Sequence, residues 1–418
     1  MNMEVFYRSI RLQNRFLEDL RQIDRDRINE LVDFFAKYLT DDIPHRSIHV
    51  LSKGRSALST FSFLQGLYDT TFKISKRSGK FRFDPATLRD GVIKYLGSSS
   101  LALAVSGSGE TTEVVRYLED AVKCKSRTVL ITASKDSTAF EVMKKAGGFV
   151  FLMESKREGS KVDEGQKMLS PLGSEFEFKA WILLNSLIPE IESRLLGNYD
   201  ESCPEYENRF NLFLDNIKLL ETDWIEEEAL TNWIDRLTNR HGLLVFYGIT
   251  KSGHVAEQFE MRFAHLNKKV FMLDDSNRKP FRYGDALVVI SGGGNTEDVN
   301  EAAIEALGLE VENGELRYKT PRKRIADVFG ITANKNSRLR KILEFAGQEE
   351  NLLILPIIEG YREGFLKTMP QTVMRPSDFG RWRIPIFETS AYVIANAIVA
   401  QIAENEGILP QFLKEQHV

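Results

Sequence analysis

The chain has 418 residues, about twice an ordinary domain, so two hydrophobic cores are expected rather than one. With 42% hydrophobic and 28% charged residues the composition is that of a soluble globular protein, and no apolar run approaches the roughly 18 residues that would span a bilayer. The formal net charge of −4, with both signs interspersed, leaves no electrostatic footprint for nucleic acid, so an anionic ligand must be held locally.

Glu4, Arg8 and Arg11 interrupt the apolar residues of the N-terminus, which therefore does not read as a secretory signal, and a cytoplasmic location is expected. Cys124 and Cys203 stand far apart and in no CxxC spacing, against both a disulfide framework and thiolate-bound zinc. No metal and no cofactor is expected.

In chain order, Arg15 to Leu39 reads as helix, and Ile48 to Ser52 as an apolar strand followed by a helix. Leu101 to Val105 is a second apolar strand, running into Ser106-Gly-Ser-Gly-Glu-Thr111 and a helix. Strands at Thr128 to Thr132 and Phe149 to Met153 follow, each with a helix after it. The second half repeats this order: helix from Arg209 to Leu237, strand Leu243 to Tyr247, helix from Ser252, strand Ala286 to Ile290, and the turn Ser291-Gly-Gly-Gly-Asn-Thr296. Strands near Val328 to Thr332 and Leu352 to Pro356 complete it. Continuous apolar strands alternating with helices predict parallel sheets covered on both faces, that is, α/β architecture in three layers.

Internal similarity decides the domain count. Four pairs of anchors keep their order: Arg55-Ser56 with Lys251-Ser252, Ser106-Gly107 with Ser291-Gly292, Ile131-Thr-Ala133 with Ile331-Thr-Ala333, and Phe176-Glu177 with Phe387-Glu388. Their offsets of 196, 185, 200 and 211 drift as loop insertions in a duplicated domain would make them. The polar segment Asn198 to Glu207, which contains Pro204, reads as the joint, giving expected domains 1–197 and 198–418.

The clearest chemistry lies at Ser106 to Thr111. A buried strand ends in glycines and hydroxyl residues and then opens a helix whose Val114, Val115, Leu118 and Val122 form one apolar face. Glycines admit close approach of an anion, the helix N-terminus offers N–H groups and a positive dipole, and Ser106, Ser108 and Thr111 add hydroxyls. Simple capping would explain Thr111 or Thr112, but not the paired serines and glycines before them. Neither G-x-G-x-x-G nor G-x-x-x-x-G-K-[ST] occurs at this strand end, so dinucleotide and P-loop sites are not indicated.

Lys53-Gly-Arg-Ser56, Ser106-Gly-Ser-Gly-Glu-Thr111 and Ser170-Pro-Leu-Gly-Ser-Glu-Phe-Glu177 resemble the three signature segments of SIS (sugar isomerase) phosphosugar isomerases, above all the 6-phospho-3-hexuloisomerase family. Thr250-Lys-Ser-Gly253, Glu260 to Leu266 and Ile384 to Glu388 extend the resemblance to the second half. It implies two tandem flavodoxin-like domains. It also implies phosphate held by Ser56, Ser106, Gly107, Ser108, Gly109, Glu110 and Thr111, and in the second half by Ser252, Ser291 and Thr296. Metal-free interconversion of a hexose or hexulose 6-phosphate is the implied reaction.

Such an exchange removes a proton alpha to a carbonyl through an enediol, which a carboxylate beside the sugar can perform. The resemblance assigns that role to Glu177, with Glu388 its counterpart, and a supporting role to His265. A solvated carboxylate in the first turn of a helix, or a histidine near a helix C-terminus, is the alternative for each. The first half has Asp69 where His265 stands in the second, while the second half has the poorer turn; one composite site between the two halves is therefore expected, in a homo-oligomer built as a dimer of pseudo-dimers. Lys156, Arg157 and Lys161 read as a solvated charge run.

Three other functions stand beside isomerisation. A non-catalytic sugar-phosphate sensor remains open. A DNA-binding regulator is disfavoured because fewer than 50 residues precede Ile48, and an aminotransferring synthase because no glutaminase segment is evident.

Overall fold

The computed structural model describes residues 3–78, 81–87, 96–153, 174–200, 204–222, 224–277, 279–319, 325–358 and 385–408. Cys203, the charge run at Lys156 to Lys161, the segment Ser170 to Gly173 and the segment Tyr361 to Arg383 lie outside them. The described residues cluster into two compact units, one holding 15–153 and 174–212, the other 3–14 and 213–408.

The first of these contains a five-stranded parallel sheet of β1 (Ser47–Val50), β2 (Asp84–Thr87), β3 (Ser100–Val105), β4 (Arg127–Thr132) and β5 (Phe149–Leu152), in the order β2-β1-β3-β4-β5. That is the flavodoxin-like order. β2 was not foreseen from sequence; it is short and holds Pro85, which a sheet tolerates at an edge because no ladder donor is needed there.

Every residue of β3 is buried, which is why its sequence shows no alternation. Ala102 and Ala104 join Leu51 and Leu130 on one face, against Val114, Leu118 and Ala121 of helix α4 (Thr112–Lys123) and Ala139 and Met143 of α5 (Thr138–Ala146). The alternate residues Leu101, Leu103 and Val105 point to the opposite face. There α3 (Gly54–Ser78) packs along α6 (Ser174–Leu196). Each fully buried leucine or valine stabilises the fold by about 1.5–3 kcal/mol.

The leading helical stretch is two helices, α1 (Glu4–Leu20) and α2 (Arg25–Thr40), not one. The break falls where Asp24 accepts from the Asp26 N–H at 2.9 Å and caps α2. Likewise the stretch from Arg209 to Leu237 divides into α7 (Glu205–Lys218) and α8 (Glu227–Thr238).

The second unit repeats the design. Strands β6 (Leu244–Gly248), β7 (Val270–Met272), β8 (Ala286–Ile290), β11 (Asp327–Thr332) and β12 (Leu352–Ile354) form a parallel sheet in the order β7-β6-β8-β11-β12. Strand for strand this matches the first sheet. A hairpin of β9 (Leu309–Glu312) and β10 (Glu315–Tyr318) is inserted before β11, one cause of the drifting offsets between the halves. Its helices include α9 (Lys251–His265), α10 (Glu297–Ala306), α11 (Arg338–Phe345) and α12 (Ile386–Asn405).

The expectation that no apolar stretch is long enough to span a bilayer is corrected by α12, which is long and apolar enough to do so, although 94% of its apolar window is buried within the fold. The first residues of α1 help to cover it: the Phe6 N–H donates to Gln401 Oε1 at 3.0 Å, Gln13 donates to the Val393 carbonyl at 3.1 Å, and Asn396 donates to Gln13 Oε1 at 3.0 Å.

Candidate functional site

In a doubly wound sheet the ligand crevice opens beyond the carboxyl ends of the strands where the chain reverses its direction of winding. Here that point lies between β1 and β3 in the first unit and between β6 and β8 in the second. The two signature turns, Ser106 to Thr111 and Ser291 to Thr296, follow β3 and β8 directly.

The first turn is built by its own hydrogen bonds. The Gly109 N–H donates to Ser106 Oγ at 3.2 Å, Ser106 Oγ and Thr111 Oγ1 are 3.5 Å apart, and the Glu110 N–H donates to Ser108 Oγ at 3.2 Å. From the next strand the Ala133 N–H donates to the Gly107 carbonyl at 3.2 Å and Thr132 Oγ1 does so at 3.3 Å. Gly109 has φ of +68°, and the Ala139 N–H donates to its carbonyl at 3.0 Å.

α4 starts at this turn with Thr111 as its N-cap, yet no side chain caps it. α5, by contrast, is capped in the usual way, Ser137 Oγ accepting from the Phe140 N–H at 3.3 Å. The terminus that faces the switch point therefore keeps its amide donors uncapped by side chains, and its dipole favours an anion. Simple capping by Thr111 does not account for the turn.

Two further segments meet it. The Val105 N–H donates to Ser52 Oγ at 2.9 Å, tying the end of β3 to the residues that lead into Gly54, Arg55 and Ser56. Ser56 is buried, and Thr60 Oγ1 donates to its carbonyl at 2.7 Å. A Cβ at Gly107 would stand 3.0 Å from the Phe176 ring, so the first turn of α6 lies against the loop. The neighbouring Glu177 has its Oε1 3.7 Å from the Arg55 guanidinium, and Ser59 Oγ donates to its carbonyl at 3.0 Å. Ser56, Ser106, Thr111 and Glu177 are thus gathered at one end of one sheet.

Glu110 has a different occupation from the one expected. Its carboxylate accepts from the Thr138 N–H at 2.9 Å and from Thr138 Oγ1 at 2.7 Å, closing the N-terminus of α5. Those bonds from Thr138, side chain first, hold its carboxyl below the ordinary carboxylate range. Asn295 does the same work in the second unit, accepting from the Arg338 N–H at 2.8 Å. The change from glutamate to asparagine thus preserves a structural bond.

The second turn copies the first. The Gly294 N–H donates to Ser291 Oγ at 3.2 Å, Ser291 Oγ lies 3.2 Å from Thr296 Oγ1, and the Ala333 N–H donates to the Gly292 carbonyl at 3.0 Å. α10 is also uncapped at Thr296, while Ser337 caps α11.

What differs is the surroundings of the glutamate. Ser252 Oγ donates to Glu388 Oε1 at 3.2 Å, and burial pushes the Glu388 carboxyl up, outweighing the nearby Lys251 and the Ser252 bond. Thr250, at the start of α9, has φ of +57°, where the first half has Gly54 at +54°.

His265 is the last residue of α9, thirteen positions after Ser252. At 1.5 Å per residue the two are about 20 Å apart along the helix, so His265 does not belong to the Ser291 turn of its own unit. Among the described residues no group of three or more His, Cys, Asp or Glu could hold a metal ion.

Arg55 belongs to an anchor of the repeat and to the signature segment Lys53 to Ser56, but with no role expected; its place beside Glu177 depends on how α3 meets α6, which no local pattern encodes. Ser52, Thr132 and Ser137, which brace the turn, left a faint signal: hydroxyl residues at strand ends.

No protein-family model matches the chain. It is 28% identical over 185 residues to an uncharacterized protein of Archaeoglobus fulgidus, covering 44% of this chain and 88% of that one. Over 98 residues it is 30% identical to 3-hexulose-6-phosphate isomerase of Methanocaldococcus jannaschii, covering 23% of this chain and 54% of that one. Among solved structures, tagatose-6-phosphate ketose/aldose isomerase from Escherichia coli superposes with a TM-score of 0.52 at 14% identity, over 98% of this chain and 95% of that one. The two-unit α/β fold is therefore shared with that isomerase.

Proposed function

We propose, from the tandem SIS fold and the site at its first switch point, that the protein is a sugar-phosphate isomerase acting through an enediol on a hexulose or hexose 6-phosphate. The observation that carries this reading is the uncapped N-terminus of α4 beside Ser106, with the partly buried carboxylate of Glu177 brought to the same strand ends. The first feature suits a phosphate dianion and the second suits proton abstraction from the carbon chain attached to it. The name of the M. jannaschii relative supports a 3-hexulose 6-phosphate as the first substrate to try.

The residues take these roles in the proposal. Ser106, Ser108, Thr111, Ser56 and the backbone of Gly107 and Gly109 hold the phosphate. Glu177 moves the proton between adjacent carbons. His265 assists, and the Ser291 to Thr296 turn with Ser252 and Glu388 forms a weaker anion site.

The test is a thermal-shift screen of sugar phosphates followed by an isomerisation assay on each compound that binds. A ligand that binds only the folded chain raises the midpoint by mass action, by about 2.7 kcal/mol of stability at a hundredfold excess over Kd. Binding with turnover supports the isomerase; binding of every hit without turnover supports the sensor instead.

A further inference from the structure

A base must keep one oxygen free while the rest of its carboxylate is held still. Glu177 meets both conditions in an unusual way. Its Oε1 lies 3.7 Å from the guanidinium of Arg55, an ion pair longer than a hydrogen bond, with the side chains 14% and 8% exposed. Its Oε2 is buried and has no hydrogen-bond partner among the described residues. Buried polar atoms without partners are uncommon and call for a reason.

The pair spans two helices. Arg55 is the second residue of α3 and Glu177 the fourth of α6, and Ser59 Oγ of α3 donates to the Glu177 carbonyl at 3.0 Å. α3 therefore fixes both the main chain and the charge of the glutamate. The other charges of the α6 first turn are committed elsewhere: Lys179 pairs with Glu175 at 2.6 Å and with Asp19 at 3.3 Å. In the second unit Lys251 stands at the Arg55 position near Glu388, and there Ser252 Oγ also donates to Glu388 Oε1 at 3.2 Å while burial pushes the carboxyl up.

We propose that Arg55 is a positioning residue for Glu177: it holds the Oε1 side of the carboxylate against α3 and leaves the buried Oε2 to take the substrate proton. This rests on the isomerase reading. In the step so described the C–H bond alpha to the carbonyl breaks and its electron pair forms the enediolate. The proton becomes the O–H of Glu177 and is returned to the former carbonyl carbon, while the proton of the adjacent hydroxyl passes to the former carbonyl oxygen as the new C=O forms, so Glu177 ends as it began. Arg55 forms and breaks no covalent bond.

The experiment compares Arg55→Met and Arg55→Lys with wild type on 3-hexulose 6-phosphate, measuring kcat, KM and thermal midpoint. For Arg55→Met, kcat is expected to fall about 10- to 100-fold with KM within about threefold, because an oriented base is lost and not a phosphate contact. Arg55→Lys, which keeps the charge and folds on the same side-chain volume, should recover about tenfold of that loss. Unchanged kcat in Arg55→Met, or a rise in KM that accounts for the whole loss, overturns the assignment. Should Arg55→Met fail to fold, wild-type kcat in Arg55→Gln overturns it equally. A wild type that turns over no sugar phosphate refutes the isomerase reading separately. The crystal structure of Arg55→Met then decides the positioning role, which requires the Glu177 carboxylate to leave its wild-type place and is overturned if it stays.

Discussion

Gly109 and Ser137 approach so closely that a Cβ on the glycine would stand 2.2 Å from the serine Oγ, and a Cβ on Gly294 would stand 2.8 Å from the Oγ of Ser337 and 2.5 Å from its Cβ. In both units the glycine that lets the turn reverse is thus wedged against a capping serine, Ser137 of α5 in the first and Ser337 of α11 in the second. Gly109→Ala meets the clash and a φ of +68° together. A cost of about 2–4 kcal/mol follows from overpacking and the left-handed backbone. Urea unfolding measures it, and binding of sugar phosphate should be lost with it.

Thr250 predicts the opposite sign. It occupies φ of +57° and ψ of −124°, a region open chiefly to glycine, and Gly54 stands in the matching position of the first unit. Thr250→Gly should therefore stabilise the second unit by about 1–2 kcal/mol, less the greater backbone entropy of glycine in the unfolded chain. Chemical denaturation with and without the substitution checks it; a loss of stability would show that the Thr250 side chain is needed where it is.

Much of this was legible in the sequence. The strands at Leu101 and Ala286, the paired turns and the order of anchors such as Phe176-Glu177 with Phe387-Glu388 all appear in the fold, because buried parallel strands leave continuous apolar runs. The edge strands β2 and β7 were missed since Asp84–Thr87 carries a proline and Val270–Met272 is only three residues long. The occupation of Glu110 was missed for another reason: its partner Thr138 lies 28 residues on, and no local pattern announces a carboxylate that closes a helix across a crossover.

Glu388 makes stability depend on pH. Its carboxyl is pushed up by burial, so the unfolded chain releases this proton at lower pH than the folded one. The contribution of Glu388 is then fully present below the ordinary carboxylate range and is lost as pH rises through the folded value. Glu388→Gln, which cannot ionise, should raise the thermal midpoint at pH 8 relative to wild type and leave it little changed at pH 4. An equal shift at both values would mean that packing, not ionisation, is responsible.

His265 is predicted to affect rate more than affinity. His265→Ala should lower kcat by about tenfold or more while the sugar-phosphate thermal shift stays within error of wild type. Equal losses in both would return the residue to a structural part at the C-terminal end of α9.

The most direct measurement is turnover of 3-hexulose 6-phosphate by wild type and by Glu177→Gln, with binding of the same compound followed by thermal shift. Wild type should convert it to the 2-ketose 6-phosphate, and Glu177→Gln should be slower by about 100-fold or more while still being stabilised by the ligand. Full activity in Glu177→Gln, or a wild type that binds hexulose and hexose 6-phosphates and isomerises none, would contradict the account.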